Sequence, residues 1–176
     1  MLEILIKFIE GTVKLRVNRG KSGVFRPNRA QCLGYTFVGA TGTPRVHPKS
    51  LKRLREKLKG IFFHARGTSL RATLAKLNPV LRGWRQYFRL DERKGIFEEL
   101  NIHVRSHLRK LIWIAWKNPR TRERNLIKRG IAPRRAWKRS VNGRSAWWNS
   151  EALHMRHAFN NDFFKRMGLY SVLEMQ

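Results

Sequence analysis

The chain is short of cysteine and of acid. Cys32 is its single cysteine, which excludes an internal disulfide framework and a zinc site built from several cysteines, and fits a reducing, cytoplasmic setting. No acidic residue occurs between Glu10 and Glu56, and Asp91 and Asp162 are the only aspartates. Two-metal phosphoryl transfer needs clustered carboxylates that hold two ions about 4 Å apart. Two isolated aspartates offer no such cluster, and the adjacent Glu98 and Glu99 leave a helix in different directions, as a solvated face does. Long apolar runs are missing too: none approaches the roughly 18 residues that a bilayer span needs. The opening MLEILIKFIEG is interrupted by Glu3, Lys7 and Glu10, unlike a signal peptide. There is no internal repeat and no low-complexity segment.

Positive charge is abundant. The 176 residues hold 39 Lys and Arg against 11 Asp and Glu, a formal net charge of +28. A globule of that charge repels itself, so a polyanionic partner is expected, nucleic acid first and an anionic membrane surface second. Hydrophobic residues at 41% and six tryptophans exclude a wholly disordered chain and suffice for the core of one domain or one and a half.

Periodicity divides the chain. Residues 2–10 read as a short amphipathic helix ended by Gly11. TVKLRV alternates, with Val13, Leu15 and Val17 on one face of a half-basic strand, NRGKSG is turn chemistry, and LGYTFVG is a second β-rich run stopped by Gly39 and TGTP. From Pro48 the pattern is helical. Leu51, Leu54, Leu58 and Ile61 form one core stripe; Leu70, Leu74, Leu77, Leu81, Trp84 and Phe88 form the next, with Asn78-Pro79 expected to cap and restart that helix. Phe97, Leu100, Val104, Leu108, Leu111 and Ala115 continue until Asn118-Pro119, so three helices with short connections predict a bundle. Residues 117–144 carry eleven Lys or Arg against Glu123 alone and are broken by Gly130, Pro133 and Gly143 into short helices or loops. One last helix is expected from about Ser150 to Met167, with Ala152, Met155, Phe159 and Phe163 inward. The expected fold class is mainly α: a helical bundle with a small N-terminal α/β element.

Six histidines include two pairs at helical spacing. His103 and His107 stand four apart, as a helical metal site would place them, but Val, Arg and Ser lie between and no neighbouring glutamate completes a metalloprotease pattern. Surface or phosphate-contacting roles are expected for them and for His154 and His157, with no metal and no cofactor. Phosphate binding is the better-supported chemistry. Lys and Arg displace counterions from a nucleic-acid backbone, and the planar guanidinium grips phosphate bidentately. Beside the apolar stripe of LNPVLRGWRQYFRL runs a second ridge, Arg82, Arg85 and Arg89. With Lys52, Arg53 and Lys59 before it, and Arg120, Arg122, Arg124, Lys128, Arg134, Arg135, Lys138 and Arg139 after it, this ridge makes the candidate nucleic-acid-binding set. Trp137 is the candidate for stacking on an unpaired base, although core packing outweighs stacking for any tryptophan beside an apolar stripe.

Three stretches carry a resemblance. VKLRVNRGKSGVFRPNRAQCLGYTF resembles the end of the palm of a group II intron-encoded reverse transcriptase, where a strand, a Lys-Ser turn and a Phe-Leu-Gly-Tyr/Phe-x-Phe strand follow the catalytic turn. LNPVLRGWRQYFRL resembles the core of that family's maturase-specific thumb, or domain X, and SEALHMRHAFNNDFFKRMGLYSVLE resembles the close of bacterial members without an endonuclease domain. The resemblance implies a palm remnant over 1–47, a thumb/maturase helical bundle over 48–118 and a basic C-terminal maturase extension over 119–176. The family's metal-binding aspartates, in a Tyr-x-Asp-Asp turn and an earlier palm strand, would fall before residue 1. Gly20 stands where a Glu often precedes the Lys-Ser pair, and no Cys-x-x-Cys pair of an HNH appendage is present.

What the resemblance implies is a maturase module in a bacterial cytoplasm that binds structured group II intron RNA and assists splicing, without polymerase activity as this chain alone. Its implied partners are that RNA, an RNA–DNA duplex, and a second chain completing the palm or a second copy of this one; no membrane is expected. The competing readings are one piece of a split RNA-directed DNA polymerase, a decayed remnant whose core still folds, and general adhesion to DNA or membrane through charge alone.

Overall fold

The structure, a computed structural model, describes residues 2–20 and 22–173. Lys21 of the Lys-Ser turn and the closing Glu174 therefore lie outside the described residues. The chain separates into two compact units, Met1–Ser50 and Leu51–Gln176.

The first unit holds helix α1 (Leu2–Gly11), a 3₁₀ turn at Pro27–Arg29, and an antiparallel sheet of β1 (Gln31–Cys32), β2 (Tyr35–Val38) and β3 (Thr43–Val46) in that order. Tyr35 and Val46 face each other in register and are its buried side chains. Two expectations fail here. TVKLRV forms no strand: Lys14 sits at φ 53°, the Leu15 N–H returns to the Ile9 carbonyl at 3.2 Å, and Val13 and Leu15 are exposed. Alternation names the face a strand would bury, but a ladder needs a neighbour, and among the described residues none pairs with this segment. TGTP, expected only as a stop, opens β3 instead. Gly39 (φ 76°) and Gly42 (φ 67°) make the turn, and Pro44 is tolerated because β3 is an edge strand.

The second unit is helical and mainly α, as the periodicity predicts. Helices α2 (Pro48–His64), α3 (Leu70–Tyr87) and α4 (Lys94–Ala115) carry the three stripes, and α5 (Pro119–Lys128), α6 (Pro133–Ser140), α7 (Ala146–Glu151), α8 (Leu153–Ala158) and α9 (Asn161–Arg166) follow. Leu54 and Leu58 from α2, Leu74, Leu77 and Leu81 from α3, and Phe97, Leu100, Val104 and Leu108 from α4 join one core with Leu126, Met155, Phe159, Phe164 and Val172. Each such leucine buried contributes about 1.5–3 kcal/mol. Local chemistry sets the helix starts: Ser69 Oγ accepts from the Ala72 N–H (3.2 Å), Asn118 Oδ1 from Thr121 (2.9 Å) with Pro119 behind it, and Asn160 Oδ1 from Phe163 (2.9 Å).

Two helix expectations are corrected. Asn78-Pro79 does not restart α3, which runs through Pro79 unbroken. Asn78 has a tertiary partner in place of a cap: its Nδ2 donates to the Gly168 carbonyl (2.7 Å) and its Oδ1 accepts from the Tyr170 N–H (2.9 Å). The single helix expected over 150–167 is three. Ala152 is extended (ψ 148°) between α7 and α8, and Phe159 and Asn160 leave helical geometry before α9. Met155, Phe159 and Phe163 are nevertheless buried as expected, because the breaks re-aim the segments without removing their apolar side chains from the core.

Candidate nucleic-acid interface

The basic residues expected to meet RNA have different surroundings. On α5, Leu126 points into the core while Arg120, Arg124 and Lys128, spaced by four, form one exposed stripe. Arg122 lies between stripe and core: its Nε donates to the Trp116 carbonyl (2.9 Å) and its guanidinium lies 4.6 Å from the Trp113 ring centre. Helix α6 packs against α5. Its inward residues are Ala136 and Ser140, which leaves Arg134, Arg135, Lys138 and Arg139 exposed on a helix of eight residues. Trp137 stands among them, 48% exposed. The loop from α6 to α7 is fixed by buried Asn149, whose Nδ2 donates to the carbonyls of Arg144 (3.1 Å) and Ser145 (3.0 Å) and whose Oδ1 accepts from Asn142 (2.8 Å).

Helix α3 splits its arginine ridge. Arg82 is exposed, 5.4 Å from the Tyr170 ring, and Arg89 is exposed just beyond the helix end. Arg85 is only 6% exposed; its Nη1 donates to the Phe88 carbonyl (3.1 Å) and its guanidinium lies 4.2 Å from the Phe97 ring centre. The reason is helical phase. Counting 3.6 residues per turn from Leu81, the next inward position falls between 84 and 85, so Trp84 and Arg85 share it. Arg85 is therefore a core residue, not part of a solvent ridge.

On α2, Lys52, Arg53 and Lys59 are all exposed. Lys52 and Lys59 line an open cleft of about 390 Å³ between α2 and α4, and Arg53 is not among the residues that line it. Arg55, Arg66 and Lys110 complete its cationic lining, and sequence reasoning missed all three. Lys110 lies three residues past His107 on α4, but only packing reveals that this face looks at α2.

Three histidines are more enclosed than the expected surface role implies: His154 is buried, and His103 and His107 are half-buried. His107 stacks on Phe62, ring centres 4.6 Å apart and 17° from parallel, and meets Trp147 edge-on at 4.9 Å. Its Nδ1 lies 3.0 Å from the His103 carbonyl and, as the donor there, carries the ring proton, which leaves Nε2 as an acceptor. Burial, the neighbouring His107 and then Arg55 push His103 down to about 4, and burial also lowers His107. His154 is buried beside Trp113, and burial followed by the Arg139 charge pushes it down to about 4 as well. These three imidazoles are neutral at pH 7, because a proton would bring charge into apolar packing already surrounded by cations. His157 is exposed. Among the described residues no group of three His, Cys, Asp or Glu comes together to hold a metal ion. Asp91 is fully buried and chelated by its neighbour: Arg93 Nε (3.0 Å) and Nη2 (2.6 Å) reach its two oxygens, and the Arg93 pKa is raised.

A helical bundle with inward apolar stripes and outward guanidinium and ammonium groups defines a class: a basic helical domain. The comparison of sequences makes it particular. Residues 51–130 match the family model of the group II intron, maturase-specific domain. The matched segment spans α2–α5 and includes LNPVLRGWRQYFRL, the stretch whose resemblance pointed to the same family. The stretches compared with the palm and with the family's C-terminal close lie wholly outside the matched segment. A search of the curated proteins finds no match to the chain. No helix among the described residues is long and apolar enough to cross a membrane.

Proposed function

We propose that the chain is an RNA-binding maturase module that holds structured group II intron RNA and assists its splicing, in a bacterial cytoplasm, without polymerising DNA on its own. The observation that carries this reading is the separation of roles on α5 and α6: Leu126, Ala136 and Ser140 face inward, while Arg120, Arg124, Lys128, Arg134, Arg135, Lys138 and Arg139 face solvent without an acidic counterpart except Glu123. Such a surface binds phosphate by counterion release, and the match to a maturase-specific domain favours intron RNA as the polyanion. The proposed contact set is these seven residues with Lys52, Arg53, Lys59, Arg82, Arg89 and the half-buried Arg122. Arg85 is left out because its guanidinium is enclosed.

The test is a titration against structured intron RNA, duplex DNA and single-stranded RNA across a salt series. Arg134→Ala/Arg135→Ala and Arg120→Ala/Arg124→Ala should each flatten the slope of log affinity against log salt, by roughly one unit for every phosphate that the variant no longer neutralises. Lys165→Ala/Arg166→Ala, at the end of α9, is the control. An equal effect in the control would mean that charge acts as a diffuse cloud and would overturn a localised interface.

A second reading is favoured by one observation. Helix α1 has no buried residue, and Ile4, Leu5 and Phe8 are exposed in their own unit. A chain supplying fingers and palm aspartates, as in a split RNA-directed DNA polymerase, would cover such a face; a second copy or an RNA–DNA duplex then becomes a further partner. Primer extension on an RNA template with Mg²⁺ or Mn²⁺ tests the first reading with the purified chain alone, and the second on adding such a chain. Template-dependent incorporation by the purified chain alone, surviving repurification, would refute the first reading.

A further inference from the structure

We propose that the cleft between α2 and α4 takes up one unpaired nucleotide of an RNA chain, its base on the apolar part of the lining and its phosphate on the cationic part, a pocket that presupposes the RNA-binding role proposed above. The lining carries Lys52, Arg55, Lys59, Arg66 and Lys110, with Glu56 the one acid among them and Arg55 also paired to Glu99 outside it at 3.8 Å. Five cations against one acid select an anion. The apolar part of the lining is of a different character: Phe62 is buried with His107 stacked upon it, and Leu111 and the exposed Phe63 and Ile114 belong to the same lining.

Phosphate contact alone explains the cationic part but not the apolar part. The bases of a duplex cover one another's faces, so a helix of RNA can place its backbone on lysines yet has no flat apolar surface to offer a recess. A nucleotide out of the stack presents both a phosphate and a π-face. Its volume suits the space: about 390 Å³ falls at the small-ligand end of the roughly 300–1,000 Å³ of binding clefts. The ring polarity suits it too. His107 Nδ1 is engaged with the His103 carbonyl at 3.0 Å, so its Nε2 is left to accept a hydrogen bond, such as one from a base amino group. The Phe62 and Trp147 contacts hold that ring without a partner RNA, so little of it needs ordering on binding.

The experiment compares two hairpin RNAs of equal length, one with a single bulged 2-aminopurine and one with the same base paired. The bulged hairpin should bind about tenfold more tightly, the scale of one base stacked on an aromatic ring, and its fluorescence should fall on binding. Phe63 is 63% exposed, so Phe63→Ala spares the core; it should erase both the preference and the quenching while leaving the salt slope unchanged, and Phe63→Tyr should restore them. Equal affinity for the two hairpins, or a preference that survives Phe63→Ala, would overturn the pocket and leave the RNA-binding reading standing. Failure of both hairpins to bind at physiological salt would overturn the pocket and the RNA-binding reading together.

Discussion

Arg109 Nε donates to the Ser150 carbonyl at 2.7 Å, tying the middle of α4 to α7 across 41 residues of chain. The arginine is only 4% exposed; Nη2 also reaches Ser106 Oγ (3.1 Å), and Glu151 lies at 3.9 Å. Burial pushes its pKa down to about 10 against the favourable Glu151 charge, so it remains a cation at pH 7. Arg109→Ala would strand the buried Ser150 carbonyl, a cost of about 1–3 kcal/mol, while the Ser106 hydroxyl keeps its bond to the Ile102 carbonyl (2.9 Å). Urea unfolding should show a lower midpoint with an unchanged m-value. A midpoint within error of the parent would show that water replaces the guanidinium without cost.

Asn78 plays a comparable part for the C-terminal segment, gripping Gly168 and Tyr170 from within α3. Asn78→Ala keeps α3, since alanine is the better helix former. It should cost about 1–3 kcal/mol through the two missing hydrogen bonds. Faster amide exchange should be confined to residues 168–172, where Asn101 Oδ1 also accepts from the Val172 N–H at 3.2 Å. Uniform acceleration across α2–α4 would contradict a local clasp.

Stability should fall with acid through the histidines. An unfolded histidine takes up a proton near 6.5, whereas His103 and His154 in the folded protein are held at about 4, chiefly by burial. Between those values the unfolded chain binds more protons, so this contribution is fully present above pH 6.5 and is lost as pH falls toward 4. Melting temperature should decline over that window. His154→Phe should flatten the decline, because the His154 Nε2 is buried with no hydrogen-bond partner to lose. A parallel decline in the variant would assign the acid sensitivity to other groups.

Hydrogen exchange should distinguish the two units. Residues 2–46 bury little beyond Tyr35 and Val46, whereas α4 places Phe97, Leu100, Val104 and Leu108 in the core. Amides with few buried apolar neighbours open at low free energy. Residues 96–116 should therefore exchange about tenfold more slowly than residues 2–46, or slower still. Equal, slow exchange in a monomer would show that the first unit is stable by itself.

The sequence by itself determined the features that depend on local spacing and on composition. The stripes of α2, α3 and α4 follow from apolar residues three and four apart, which land on one helical face whatever else the chain does. The break at Asn118-Pro119 and the exposed cations of α5 and α6 follow in the same way, since Leu126 and Ala136 dictate which side turns inward. The expectation of a polyanionic partner follows from a charge of +28 with no geometry at all. Tertiary structure decided whatever depends on a second segment. Residues 12–17 alternate like a strand but find no ladder among the described residues, and Pro79 stays helical while its neighbour Asn78 bonds a turn 90 residues away. Arg85 and Arg109 look like two more surface cations among 39, yet Phe97 covers one and Ser150 binds the other. The cleft of Lys59, His107 and Lys110 belongs to neither helix alone. Periodicity says which way a side chain leaves its own helix, and only the packing of α2 on α4 says what it meets there.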